Sequence, residues 1–163
     1  MVLYDKEELE RIGKAKETND NLEEFFNRKR DEWNKTMEPL YTTLKDNFTL
    51  EKSQKIIEIQ SLALSYRQMI NEQISYFLNK RSKEEVNLKK LKQDKFVFYA
   101  VGFGLKTNVG EKTLLIEAHI AENERNIQII DCHIEYLRNS SKNLESLGYT
   151  IKNIIELMNY LGR

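Results

Sequence analysis

The sequence predicts an all-α protein of long amphipathic helices, one of them carrying a coiled-coil-like seam, with a short apolar helix at the C-terminus. Three observations lead there. One proline and six glycines in 163 residues leave long uninterrupted stretches, and 32% charged against 40% hydrophobic residues is the balance of long helices and coiled coils. Between Leu50 and Val101 there is neither Gly nor Pro. Beyond Thr113, isoleucines return at steps of four and three, the spacing that keeps one side of a helix apolar.

The length fits a single helical domain, 1–163, with 1–49 as a variable N-terminal helical extension and 50–163 as the body. One cysteine, Cys132, excludes an internal disulfide framework, as a reducing compartment would favour. No apolar run has the length of a signal-peptide core or a membrane span, so a soluble, cytoplasmic protein with no membrane partner is expected.

In chain order, Asp5 to Lys16 alternates charges around Leu9 and Ile12 and reads as a weak helix or mobile arm, weakened further by Gly13. From Asn21 to Glu38, residues Leu22, Phe25, Phe26, Lys29, Trp33 and Met37 fall on one helical stripe, and Pro39 should end or kink that helix. Leu40, Tyr41, Leu44 and Phe48 suggest a short further piece before a turn at Asp46 to Thr49, with Thr49 as cap of the next helix. In that helix Ile56, Ile59, Ala63, Tyr66, Ile70, Ile74 and Phe77 step by three or four.

Ser82 and Glu85 have capping-box spacing, which favours a break near Asn79 to Arg81 and a restart carrying Val86, Leu88 and Leu91. The run FVFYAVGFGLKTNVG suits a frayed helix end plus a loop, or a short hairpin, with the helix ending near Tyr99. A second long helix from Thr113 places Ile116, Ile120, Ile127, Ile130, Ile134, Leu137 and Leu144 in one seam, a pattern that favours assemblies beyond dimers. Gly148 can stop it as a left-handed C′ residue, and Thr150 can cap a last helix from Ile151 to Leu161. The stripe Ile151, Ile154, Ile155, Met158 and Leu161 needs a partner, which another subunit can supply, so these are the candidate oligomerisation residues.

Charge is uneven although it sums to zero. Lys80 to Lys112 holds nine basic residues against four acidic ones, and the remainder is correspondingly acidic. Within it, Arg81, Lys83, Lys89, Lys90, Lys92 and Lys95 run directly into Phe96, Phe98, Tyr99 and Phe103, then Gly102, Gly104 and Gly110. Lysines neutralise phosphates and aromatic faces stack on bases, which is what a single-stranded nucleic-acid site needs. The same pattern describes a solvated helix face running into an aromatic core, so Phe98 and Tyr99 are candidates for either role.

No catalytic, cofactor or metal site is expected. His119 and His133 lie fourteen residues apart on one helix, roughly 21 Å by helical rise, and cannot share a metal. Cys132 points about 100° away from His133, and the single pair His119 and Glu122 falls short of a four-helix metal site, so both histidines read as surface or interface residues. Gly104 to Thr113 imitates a phosphate-binding loop but has five residues between its glycines and Glu111 before Lys112.

The run KLKQDKFVFYAVG and the tail resemble the UvsY family of phage recombination mediators. The tail match is Gly148-Tyr-Thr-Ile151-Lys152-Asn-Ile154. The other is a lysine pair, Lys92 and Lys95 with Asp94 between them, followed by Phe98, Tyr99 and Gly102; together they cover Leu88 to Arg163. The resemblance implies a non-enzymatic protein that binds single-stranded DNA through Lys92 and Lys95, in the host bacterial cytoplasm if phage-encoded. It also implies self-assembly through the C-terminal helix into a closed ring of roughly six or seven copies. The implied partners are a RecA-like recombinase and the single-strand-binding protein on whose coated strands the recombinase is loaded during recombination and repair. The rival expectation is a coiled-coil scaffold without nucleic acid, whose basic stretch meets an acidic segment such as Asp20 to Glu24.

Overall fold

The computed structural model describes residues 19–43, 53–102 and 109–162, and every regular element there is helical. Helix α1 is Asn19–Thr43, α2 is Ser53–Val97 and runs into a single π-helical turn, Phe98–Gly102, and α3 is Val109–Leu161. The expectations for the N-terminal arm, the turn with the Thr49 cap, Leu44, Phe48 and the loop from Phe103 to Asn108 lie outside the described residues.

In α1 the stripe is Leu22, Phe26, Lys29, Trp33, Met37 and Leu40, all buried. Lys29 holds a core position because its aliphatic stem packs while its ammonium reaches Glu32 at 3.1 Å. Pro39 does not end the helix as expected. The amide it lacks would have served the carbonyl of Lys35, an exposed residue, and buried Leu40 keeps the last turn on the core.

Helix α2 is also longer than the sequence suggested, with no break at Asn79 to Arg81. Ser82 is not a cap. Glu85 instead accepts Arg81 one turn back at 2.9 Å, and Arg81 also reaches Asp131 of α3, so the polar stretch is tied into the fold as helix interior. In α3, Gly148 does not stop the helix and Thr150 does not cap a new one. No glycine has positive φ among the described residues, and the Thr150 hydroxyl donates back to the Ser146 carbonyl at 3.0 Å, as a mid-helix threonine does. The C-terminal segment is thus the end of one continuous helix, closed by the Gly162 amide on the Met158 carbonyl at 2.9 Å.

Helices α2 and α3 form an antiparallel hairpin. Its register is marked by Arg67–Glu145 at 3.0 Å, Arg81–Asp131, Lys92–Glu124 at 2.8 Å and the Tyr99 hydroxyl 2.7 Å from His119 Nε2. The isoleucine seam of α3 is spent inside the chain: Ile130, Ile134, Leu137, Leu144 and Ile151 share one core with Ile56, Ile59, Ile70 and Phe77 of α2 and with the α1 stripe. Helix α1 lies along the hairpin, parallel to α3. Phe26 stacks on His133 with centroids 4.1 Å apart and meets Phe77 edge-on, Trp33 meets Tyr66 edge-on, and the Tyr136 hydroxyl donates to Asn34 Oδ1 at 2.9 Å. Toward the hairpin tip, Leu22 is the last buried residue of α1 and Glu23 meets Arg125 at 3.2 Å. Beyond the start of α1 at Asn19 the described residues form a two-helix stalk.

His133 is a correction: it is fully buried between α1 and α2 rather than on a surface. Burial, with the nearby Arg30 charge, lowers its pKa from 6.5 to about 3. The folded state therefore refuses a proton that the unfolded chain takes up below 6.5, and stability complete above that value falls as pH drops toward 3. The slope approaches about 1.4 kcal/mol per pH unit. Urea midpoints followed from about pH 7 to about pH 5 should decline accordingly, and His133→Phe should flatten that limb.

An added methyl group at Gly148 would meet nothing within 4 Å. Gly148→Ala should therefore raise unfolding free energy by about 1 kcal/mol in a denaturant titration, the gain for an interior helical glycine. A left-handed C′ glycine would give the opposite sign.

Candidate nucleic-acid interface

The basic segment occupies the end of α2, from the last layer of the core into the stalk. Beyond Phe77 no side chain of α2 is fully buried, so this part of the helix presents polar residues on most of its circumference. The structure divides the expected cations into two groups. Arg81 and Lys92 reach across to carboxylates of α3, and the hydrogen bond that Arg81 donates to Asp131 holds the Arg81 pKa above its ordinary value. Lys83, Lys89 and Lys90 are exposed and make no ion pair among the described residues. Lys95 is half-buried, its ammonium 5.9 Å from the Phe98 ring centroid.

These lysines do not share one face. At 100° per residue, Lys83 and Lys90 fall together on the edge turned away from α3, whereas Lys89 is rotated by about 100° from Lys90. Lys89 lies within about 20° of Leu78, which lines the groove between α2 and α3 with Arg81 and Asp131. Phe96, seven residues beyond Lys89, continues that strip and is 59% exposed. Sequence reading placed Phe96 in the aromatic cluster but did not single it out for stacking; its spacing from Lys89 was the available signal.

Phe98 and Tyr99 have different roles. Both lie in the π-helical turn, with ring centroids 5.2 Å apart and edge-on. Phe98 keeps 48% of its surface exposed beside Lys95. Tyr99 is half-buried, and its hydroxyl bonds His119, so it ties the hairpin end together. His119 is accordingly a cross-link rather than a bare surface residue.

Among the described residues, Arg81 and Lys92 of this segment meet Glu85, Asp131 and Glu124, whereas Glu23 of the expected acidic neighbour meets Arg125. Among the described residues no group of three or more His, Cys, Asp and Glu is placed to hold a metal ion, and no helix is long and apolar enough to cross a membrane.

The oligomerisation candidates also divide. Ile151 is buried in the chain's own core, with Ile154 and Met158 packed partly against it, because the start of α2 covers that side. Ile155 and Leu161 remain exposed, and Leu157 and Tyr160 join them on α3, with Ile57 and Leu64 exposed on α2. Of the stripe expected to need a partner, Ile151 is thus covered within the chain, and Ile155 and Leu161 are not.

Arg81 and Lys92 should behave as structural cations. Arg81→Ala should lower stability by about 1 kcal/mol or less, the scale of a half-exposed pair, as read from the urea midpoint. Lys83→Ala should leave it unchanged. Neither a family model, a curated protein nor a solved structure matches this chain.

Proposed function

We propose that this chain is a single-stranded-DNA-binding protein that self-associates and acts as a recombination mediator. The observation that carries the binding part is the set Lys83, Lys89 and Lys90, exposed and without ion pairs among the described residues, running into the exposed rings of Phe96 and Phe98. Cations at this density attract phosphates, and exposed aromatic faces accept unstacked bases, which a duplex does not offer. Self-association is supported by Leu157, Tyr160 and Leu161, exposed within about 100° of one another around the end of α3, with Ile155 exposed on the other flank of the buried side; exposed apolar side chains of this kind mark interaction sites. A few phosphate contacts per copy bind weakly, and several copies on one strand raise effective concentration without new chemistry. The mediator role, with loading of a RecA-like recombinase onto strands coated by single-strand-binding protein and assembly into a ring, rests on the resemblance of Leu88 to Arg163 to the UvsY family. A scaffold role is favoured by one observation, the pairing of Arg81 and Lys92 with carboxylates of the chain itself.

Fluorescence anisotropy of labelled oligothymidylate across a salt series, beside a duplex of equal length, tests the binding. The single strand should bind preferentially. Lys89→Ala with Lys90→Ala should make the dependence of log affinity on log salt shallower by about 1.4, from about 0.7 per phosphate contact on a single strand. Lys92→Ala should change it less, because that charge already serves Glu124. Absence of strand binding at low salt would leave the scaffold reading. Separately, Ile155→Asp with Leu161→Asp should lower the mass seen by light scattering while helicity is kept, since both side chains are exposed in the single chain.

A further inference from the structure

The groove between α2 and α3 on the side away from α1 has a volume of about 510 Å³ and is lined by Leu78, Arg81, Asp131, Glu135, Arg138 and Lys142, among others. Arg138 and Lys142 are exposed and in no ion pair among the described residues. They sit on α3, more than forty residues from the lysines of α2 in sequence, yet the antiparallel register brings them to the same groove. Along α2 the strip through Leu78 continues through Glu85, Lys89 and Phe96, at spacings of seven and eleven residues that return to nearly the same helical angle. Glu85 and Asp131 on this path are both paired with Arg81, which leaves Glu135 as the unpaired lining carboxylate among the described residues.

From these placements we infer that the bound single strand does not stop at the stalk but follows this groove, with Arg138 and Lys142 as further phosphate contacts. The inference rests on the single-strand-binding reading and adds its path. By helical rise, Lys142 lies about 16 Å from the Arg81–Asp131 cross-link toward the chain's C-terminal end, and Lys89 about 12 Å from it toward the tip. The track is therefore about 28 Å long, with apolar Leu78 exposed on its floor and Phe96 beyond Lys89. Asn139, also in the lining, supplies an amide that can reach a base or sugar edge.

The experiment uses the full chain and a ladder of oligothymidylate lengths in the same anisotropy format. Arg138→Gln with Lys142→Gln should bind the longer oligomers several-fold more weakly, with a salt slope shallower by about 1.4, and bind the shortest ones as the unaltered chain does. Glu135→Gln, which removes the unpaired carboxylate, should tighten binding of the longer oligomers. All three side chains are solvent-exposed, so circular dichroism and oligomer mass should not change. If Lys89→Ala with Lys90→Ala weakens binding while the Arg138 and Lys142 variant retains the original affinity and slope at every length, the groove path is wrong and the stalk site stands. If the unaltered chain binds no strand at any salt, both fall together.

Discussion

The antiparallel register of α2 against α3 is the constraint on which the rest of the molecule depends. It aligns Ile130, Ile134 and Leu137 with the apolar side of α2 and sets the level at which α1 can lay Phe26 and Trp33 across both helices. Apolar burial supplies the energy, since a fully buried isoleucine or phenylalanine is worth roughly 1.5–3 kcal/mol over an exposed one. The half-exposed ion pairs add little each. Their contribution is directional: in all three α2–α3 pairs among the described residues, α2 gives the cation and α3 the carboxylate. A slip by a turn would strand these charges and put the isoleucines out of step with the side chains they face.

Burial is graded along the hairpin. Where three helices meet, His133 can be held neutral among Phe26, Phe77 and Tyr136 because water is excluded and a charge there would be desolvated. Toward the tip, α2 has no fully buried side chain after Phe77, and on α3 Ile120 is the buried residue nearest that end. Fewer fully buried side chains on α2 mean that local opening costs less there than where three helices meet.

Charges within one segment serve different ends. Arg81 and Lys92 close the hairpin, while Lys83, Lys89 and Lys90 are left to solvent. The distinction follows from helical angle. Arg81 and Lys92, turned toward α3, find carboxylates within reach; Lys83 and Lys90, turned away, do not, and Lys89 lies between them along the groove without a pair among the described residues. The same rule divides the C-terminal stripe, where Ile151 is claimed by the chain's own core and Ile155 and Leu161 are not. A single helix thus contributes to folding along one side and presents cations or apolar side chains to solvent along another.

The sequence by itself determined the helical class, the two long helices and most of the core, because a period of three and four fixes which side of a helix is apolar regardless of what it packs against. It also located the cluster of lysines and aromatics. The local stop signals at Pro39, at Ser82 with Glu85, and at Gly148 with Thr150 were legible but did not act. Each offers about a kcal/mol or a few of local preference, less than the packing and cross-links of the continuous helix provide. Only the tertiary structure decided that the isoleucine seam is consumed within the chain, that His133 is buried, and which lysines are held by carboxylates. Those outcomes depend on partners between about thirty and over a hundred residues away, such as Glu124 for Lys92 and Phe26 for His133, and helical periodicity carries no information about them.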